Sequence, residues 1–256
     1  MQYYETFLRM GCFTYDDVVK LVGSKATANT LLQDNIKRQK VRSVKRGLYV
    51  ALGILDKEPV VNKYVIASNL TDTSAVSHHS AFEYYGYANQ VSYFVTVVSE
   101  SKMNDFDFNG FHYHRLQPCV NGCGIQKQDG IRVTDIERTV LDSINEFEKD
   151  MGFEELIKCI AAIPVLNQGK LLDYLALYDK QFLYQKTGFI LEHFKREFDI
   201  SDIFLNECRE KSGKSSRYLL RETSGYEPVF SNKWHLTVPK NIWASVTGGG
   251  DEDADV

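Results

Sequence analysis

The chain has 256 residues, of which 43% are hydrophobic, 25% charged and 12% aromatic, and its net charge is −4. This composition excludes disorder over most of the length. The absence of any run of about 18 apolar residues excludes a transmembrane helix. The five cysteines are odd in number and scattered, which does not indicate a disulfide framework. The first residues lack the pattern of a signal peptide, so we expect a cytoplasmic protein without membrane partners.

The charge is distributed unevenly, and the bulk value hides a basic segment. Residues 1–58 contain ten Lys or Arg and six Asp or Glu, whereas the other residues contain twenty and twenty-eight. A net negative charge alone would disfavour nucleic acid as a partner. The local balance of the first 58 residues permits it.

The N-terminal segment predicts three helices in close succession. The first covers residues 3–9, the second begins after an N-cap at Thr14, and the third runs from a cap at Ser24 to about Asn35. Four apolar residues of the third helix should face the core: Ala28, Leu31, Leu32 and Ile36. Its polar candidates for DNA contact are Ser24, Lys25, Thr27, Asn29, Thr30 and Gln33. Such side chains suit a helix that lies in a major groove and contacts base edges.

A β-hairpin with a basic tip is predicted directly after these helices. Its strands cover residues 41–44 and 48–52, joined by the turn Lys45–Gly47. Six of the ten residues from 37 to 46 are basic: Lys37, Arg38, Lys40, Arg42, Lys45 and Arg46. An ordinary solvated charged face would also show such a run, but its place in a hairpin after a helix-turn-helix favours contacts to DNA phosphates. We therefore predict a winged helix-turn-helix DNA-binding domain over residues 1–58.

The remaining chain predicts a larger mixed domain over residues 59–245 and a flexible acidic tail over 246–256, so that the fold class is α+β. Helices are expected over 63–69, 75–85 and 135–146, the last capped by Thr134 with Glu137. Residues 153–212 are mostly helical in pattern, with breaks at Pro164 and near Gly188. Strands are predicted over 92–99, 111–116, 130–133, 218–220 and 234–238.

Three sequence motifs, in their order along the chain, resemble those of the AbiEi family, the antitoxin and transcriptional regulator of type IV toxin–antitoxin systems. Residues 45–50 (KRGLYV) are similar to the family's R-G-x-Y hairpin. Residues 76–82 (VSHHSAF) with Gly86 are similar to its S-x-x-S-A-L…G helix, with Phe82 in place of leucine. Residues 133–142 (VTDIERTVLD) are similar to its V-T-D-x-E-R-T-L-L-D helix start and are the most specific of the three.

The resemblance covers about residues 1–240 and implies two activities. The N-terminal domain would bind operator DNA with repeats, where a homodimer is expected, and would repress its own operon. The C-terminal domain would counteract a nucleotidyltransferase toxin without forming a stable complex, as part of abortive infection and antiviral defence. The family also contains stand-alone regulators, so a regulator without antitoxin activity is an alternative.

Within the last motif, Arg138, Thr139 and Asp142 are candidates for a functional surface of the C-terminal domain, or for a structural brace of the helix start. We predict no enzymatic activity and no cofactor, because no phosphate-binding or dinucleotide-binding motif occurs.

One alternative is a metal-dependent nuclease targeted by the winged helix. Glu100 and Lys102 form an acid-x-Lys triplet after a strong strand signal, and such a triplet can bind a divalent metal and position water. The nearest upstream acids, Asp72 and Glu83, fall in a predicted loop and helix, which disfavours this reading.

A second alternative concerns zinc. His112, His114, Cys119 and Cys123 are all suitable zinc ligands, but their crowded spacing differs from that of common structural sites. Whether they bind zinc stays open at this point. His78, His79 and Ser80 invite comparison with a nucleophile and base, but no glycine elbow surrounds Ser80.

Overall fold

The computed structural model describes residues 3–221 and 226–244, and it has the α+β fold class that the sequence predicts. The chain folds as two compact units. Unit 1 comprises Met1–Val76, Ser92–Pro118 and Ile125–Val133, and unit 2 comprises Ser77–Val91, Cys119–Gly124 and Thr134–Val256. None of the described helices is long and apolar enough to cross a lipid bilayer.

Unit 1 begins with three helices and a small sheet. In chain order these elements are α1 (Tyr4–Met10), β1 (Cys12–Thr14), α2 (Tyr15–Val22), α3 (Lys25–Lys37), β2 (Val41–Lys45) and β3 (Leu48–Ala51). The three strands form an antiparallel sheet in the order β1-β3-β2. Phe7 and Phe13 stack at 4.7 Å between ring centroids within their shared hydrophobic cluster. The N-terminal segment therefore has a core of its own within unit 1.

The rest of unit 1 is one helix and a six-stranded mixed sheet. The elements are α4 (Lys63–Ser68), β4 (Ala75–Val76), β5 (Phe94–Val98), β6 (Phe106–Phe108), β7 (Phe111–Leu116), β8 (Ile125–Gln128) and β9 (Ile131–Thr134). The strand order is β6-β7-β5-β4-β9-β8. Residues 1–58 belong to the same compact unit as this sheet, and the predicted domain boundary at residue 58 stays a prediction.

Unit 2 is mainly helical. Its helices are α5 (His78–Tyr85), α6 (Ile136–Asp150), α7 (Gly152–Ala161), α8 (Gln168–Tyr178), α9 (Gln181–His193) and α10 (Asp202–Lys211). Three short strands form a second small sheet in the order β10-β12-β11: β10 (Arg217–Tyr218), β11 (Pro228–Ser231) and β12 (Leu236–Pro239). The apolar side of α6, including Val140, Leu141 and Ile144, is fully buried in a core shared with α7 to α10. The predicted acidic tail over 246–256 lies outside the described residues.

The sequence pattern predicts one helix over residues 75–85. The structure shows that this prediction is wrong for the first residues of the segment. Ala75 and Val76 form a short strand inside the six-stranded sheet, and the helix begins only at His78. Val76 pairs with Val97 on one side and with Val133 on the other. Two strand neighbours satisfy the backbone groups of this segment, which overrides its local helical pattern.

Two further expectations for unit 2 are corrected. The N-cap of α6 is Asp135 rather than Thr134, because the Asp135 carboxylate accepts the backbone N–H of Arg138 at 2.9 Å. The Glu137 carboxylate is turned away from the cap and accepts from the Asn167 backbone N–H. Gly188 does not break the helical pattern but lies inside α9.

Candidate nucleic-acid interface

Helix α3 is fixed by its N-cap and by its buried side. The Ser24 side chain accepts the backbone N–H of Thr27 at 3.5 Å and so caps the helix, as predicted. Ala28 and Leu32 are buried against the N-terminal core. The amide of Asn35 is also nearly buried and donates to the Leu31 carbonyl at 2.8 Å. The opposite side of α3 is therefore held toward solvent.

The exposed side of α3 carries the residues that the helical period places there. Exposed side chains on it are Lys25, Thr27, Asn29, Thr30 and Gln33. Thr30 Oγ1 donates to the Ala26 carbonyl at 3.2 Å, so this hydroxyl is already engaged along the helix. The face nevertheless offers one cation and several amide and hydroxyl groups, which is suitable chemistry for contacting base edges.

The basic segment 37–46 follows this helix and is only partly available to a ligand. Lys37, Arg38 and Arg46 are exposed. Lys45 is half-buried, and burial lowers its pKa. A cation that loses hydration in this way would gain from a phosphate placed beside it. Lys45 and Arg46 form the basic tip of the β2–β3 hairpin.

Arg42 and Lys40 have partners within unit 1. The Arg42 guanidinium donates to Asn109 Oδ1 at 2.7 Å and to the Lys57 carbonyl at 2.8 Å. The ammonium of Lys40 lies 4.7 Å from the centroid of the Tyr4 ring. These contacts hold the hairpin to its surroundings. Contacts of Arg42 and Lys40 to phosphates stay predictions and would have to compete with these bonds.

Arg138, Thr139 and Asp142 lie inside unit 2 and not on its surface. Their exposed fractions are 1%, 0% and 2%. Arg138 Nε donates to Asp142 Oδ2 at 3.2 Å, and its two terminal nitrogens donate to the carbonyls of Val120 and Cys123. The arrangement favours the structural reading of these three residues, as a brace of the α6 start.

Polar residues of α8 that the sequence did not single out contact the same part of α6. Tyr178 donates to Asp142 Oδ1, and burial together with this carboxylate raises the pKa of Tyr178, so the phenol stays a donor. Tyr174 donates to Asp135 Oδ2 at 2.6 Å. Burial lowers the pKa of Lys170, but its bonds to Glu137 and Asp135 outweigh that effect and raise it. The V-T-D-x-E-R-T motif thus anchors a buried network.

Glu100 and Lys102 do not lie on a strand. Strand β5 ends at Val98, and both residues are exposed in the segment that follows it. A nuclease triplet needs ligands held by a strand next to a second acid. This placement gives the nuclease alternative no geometric support.

The two strand histidines are each paired with an aspartate. His112 Nδ1 lies 2.8 Å from Asp107, and His114 Nδ1 lies 2.7 Å from Asp105. The hydrogen bond of His114 and the backbone N–H of Arg115 lower the pKa of Asp105 against the opposing effect of burial.

Cys119 and Cys123, the other two residues of the candidate zinc set, are free thiols. Lys180 Nζ and Asn145 Nδ2 lie 3.1 and 3.5 Å from Cys119 Sγ. Among the described residues, the cluster whose ligand atoms come together is a different one, formed by His79, Glu155 and Cys159. No sequence spacing pointed to it, because His79 is far along the chain from the other two.

Comparison with known proteins adds information on the fold. No model of a known protein family matches the chain, and no curated protein matches it by sequence. The structure is similar to the crystal structure of the RV2827C protein from Mycobacterium tuberculosis, with a TM-score of 0.63. The match covers 93% of this chain and 90% of that chain at 9% sequence identity. At this identity the likeness shows a shared fold and nothing further.

Proposed function

We propose that the protein is a DNA-binding transcriptional repressor whose first 58 residues act as a winged helix-turn-helix. The observation that supports this most directly is the exposed polar face of α3, followed along the chain by the basic β2–β3 tip. The order α1, α2, α3 and then a hairpin is the order of elements in such domains. In this arrangement α3 is the recognition helix and the hairpin is the wing.

The motif resemblance to AbiEi proteins extends the proposal to a type IV antitoxin that acts in the cytoplasm. The protein would bind operator repeats as a homodimer and repress its own operon. It would also counteract a nucleotidyltransferase toxin without a stable complex. The buried network around Arg138 supports a C-terminal body in which the third motif is structural.

The wing predicts a salt-dependent contact to phosphates. Replacing Lys45 and Arg46 together with glutamine should weaken binding to all DNA sequences by about 30-fold at physiological salt, because two phosphate contacts no longer release counterions. The slope of log affinity against log salt should become shallower by about 1.8 units. Fluorescence anisotropy on the DNA upstream of the gene, over a salt series, measures both quantities.

Two controls make this experiment specific. Replacing Lys211 and Lys214 with glutamine removes the same charge from exposed positions of unit 2 and should leave affinity and slope unchanged. Asn29→Ala should alter the preference for operator over unrelated DNA while keeping the salt slope. Unchanged affinity and slope in the Lys45 and Arg46 double variant would contradict the wing assignment.

Antitoxin activity is tested with the full chain, since residues 1–58 share a compact unit with the sheet. Co-expression with an adjacent nucleotidyltransferase should rescue growth. The double variant at Lys45 and Arg46, expressed from an unrelated promoter, should rescue equally, because repression and antitoxicity reside in different parts. If the wild type does not rescue, the protein is a stand-alone regulator.

A further inference from the structure

Three ligand-type side chains meet in unit 2. The imidazole of His79, the carboxylate of Glu155 and the thiol of Cys159 have ligand atoms that all lie within 4.8 Å of one another. We propose that these three residues bind one Zn²⁺ ion between helices α5 and α7. This inference is independent of the DNA-binding proposal.

The two separations from the Glu155 oxygen are close to those of tetrahedral coordination. Zinc bonds of about 2.0–2.3 Å to N, O and S, at tetrahedral angles, place ligand atoms about 3.3–3.6 Å apart. His79 Nε2 lies 3.2 Å from Glu155 Oε1, and Cys159 Sγ lies 3.6 Å from the same oxygen. The third separation, between His79 and Cys159, is at most 4.8 Å, so His79 and Cys159 would approach one another by about 1 Å or less around an ion.

The backbone holds the three side chains in place. Glu155 and Cys159 are four residues apart on α7, so they share one face of that helix. His79 is the second residue of α5, and its backbone N–H donates to Asp150 Oδ2 at 3.0 Å. Two ligands from one helix and a third from another would tie the two helices together.

Hydrogen bonding alone leaves this cluster incompletely satisfied. His79 and Cys159 are buried, with exposed fractions of 8% and 0%. His79 Nδ1 is a buried polar atom without a hydrogen-bond partner in the described part of the chain. The nitrogen that faces Glu155 is Nε2, so a metal would bind Nε2 and the ring would carry its proton on Nδ1.

The donor set selects the class of metal. Mg²⁺ and Ca²⁺ take oxygen ligands, whereas one nitrogen, one oxygen and one sulfur suit Zn²⁺. Zinc binding would displace the proton of the Cys159 thiol, whose pKa is raised by burial and by Glu155. Three protein ligands leave the fourth tetrahedral position to water.

The test is metal binding by the purified full-length protein after treatment with a chelator. Titration with Zn²⁺ against a chromogenic chelator should show one ion per chain. His79→Gln and Cys159→Ser should each weaken the affinity by more than about 100-fold, the upper range for losing a residue that merely supports a ligand. Co²⁺ in place of Zn²⁺ should show thiolate-to-cobalt charge-transfer absorption, which Cys159→Ser should abolish.

Cys208→Ser is the matched control, because Cys208 is an equally buried cysteine on α10 of the same unit. This variant should keep both the stoichiometry and the cobalt absorption. Circular dichroism identifies any variant that does not fold. If Cys159→Ser does not fold, the Zn²⁺ affinity of His79→Gln tests the proposal. The proposal is overturned if the wild type takes up no Zn²⁺, or if folded His79→Gln binds it with unchanged affinity.

Discussion

Replacing Arg138 with methionine should lower the free energy of unfolding by about 3–5 kcal/mol, the usual cost of breaking a buried ion pair from one side. The side chains of Arg138 and Asp142 are 1% and 3% exposed. Without the guanidinium, Asp142 would keep Tyr178 as a donor but lose its positive partner. The carbonyls of Val120 and Cys123 would lose donors as well. Urea denaturation followed by circular dichroism measures the change.

The chain contains a matched control for this prediction. Arg38 and Asp34 form an ion pair with the same four-residue spacing, at 3.1 Å, but their side chains are 63% and 47% exposed. Arg38→Met should therefore change stability by less than about 1 kcal/mol when measured without DNA. Equal losses in Arg138→Met and Arg38→Met would show that burial of the pair does not decide its contribution.

A double variant separates the lost pair from the stranded charge. Arg138→Met with Asp142→Leu removes the carboxylate that the single variant leaves unpaired, and buried pairs replaced by apolar residues often cost little. We expect the double variant to be more stable than Arg138→Met alone. The reverse order would indicate that the bond between Tyr178 and Asp142 contributes more than the ion pair.

Local signals in the sequence predicted the parts of the fold that local interactions determine. Thr14 and Ser24 were predicted as N-caps and both accept backbone N–H groups in the structure. Strand β7 was predicted with its observed bounds. The exposed face of α3 followed from the helical period.

Segments whose conformation depends on distant partners could not be predicted in this way. Strand β4 has only two residues, and its pairing with β5 and β9 is what makes it a strand. The role of Arg42 depends on Asn109 in the β6–β7 turn, and the cluster at His79 depends on α7. The sequence around Arg42 does not indicate Asn109 as its partner, and the sequence around His79 does not indicate α7.

Gly188 is the clearest instance of a residue whose role depends on a partner that is distant along the chain. The sequence suggests a helix break at this glycine, but the residue lies inside α9, and the side chain of Trp234 packs directly on it. A methyl group at position 188 would overlap three carbon atoms of the six-membered ring of Trp234. The indole is 1% exposed, and its Nε1 donates to Glu192 at 2.7 Å, so it has little room to move.

Gly188→Ala should therefore lower the free energy of unfolding by about 3 kcal/mol, at the upper end of the cost of overpacking a core. Helix propensity alone predicts the opposite sign, since alanine favours a helix interior by about 1 kcal/mol over glycine. Gly169→Ala in α8 is the control, because its added methyl would make only an ordinary contact with Asn167. That variant should be as stable as the wild type or slightly more stable.

A double-mutant cycle with Trp234→Leu tests whether the indole is the cause. Trp234→Leu should be destabilising by itself because it leaves a cavity in the core. In the double variant the methyl group added at position 188 would occupy part of that cavity instead of meeting the ring. The losses in free energy of unfolding of the two single variants should therefore add up to at least about 1 kcal/mol more than the loss in the double variant. Strict additivity, or stabilisation by Gly188→Ala alone, would mean that the glycine is not required by the packing of Trp234.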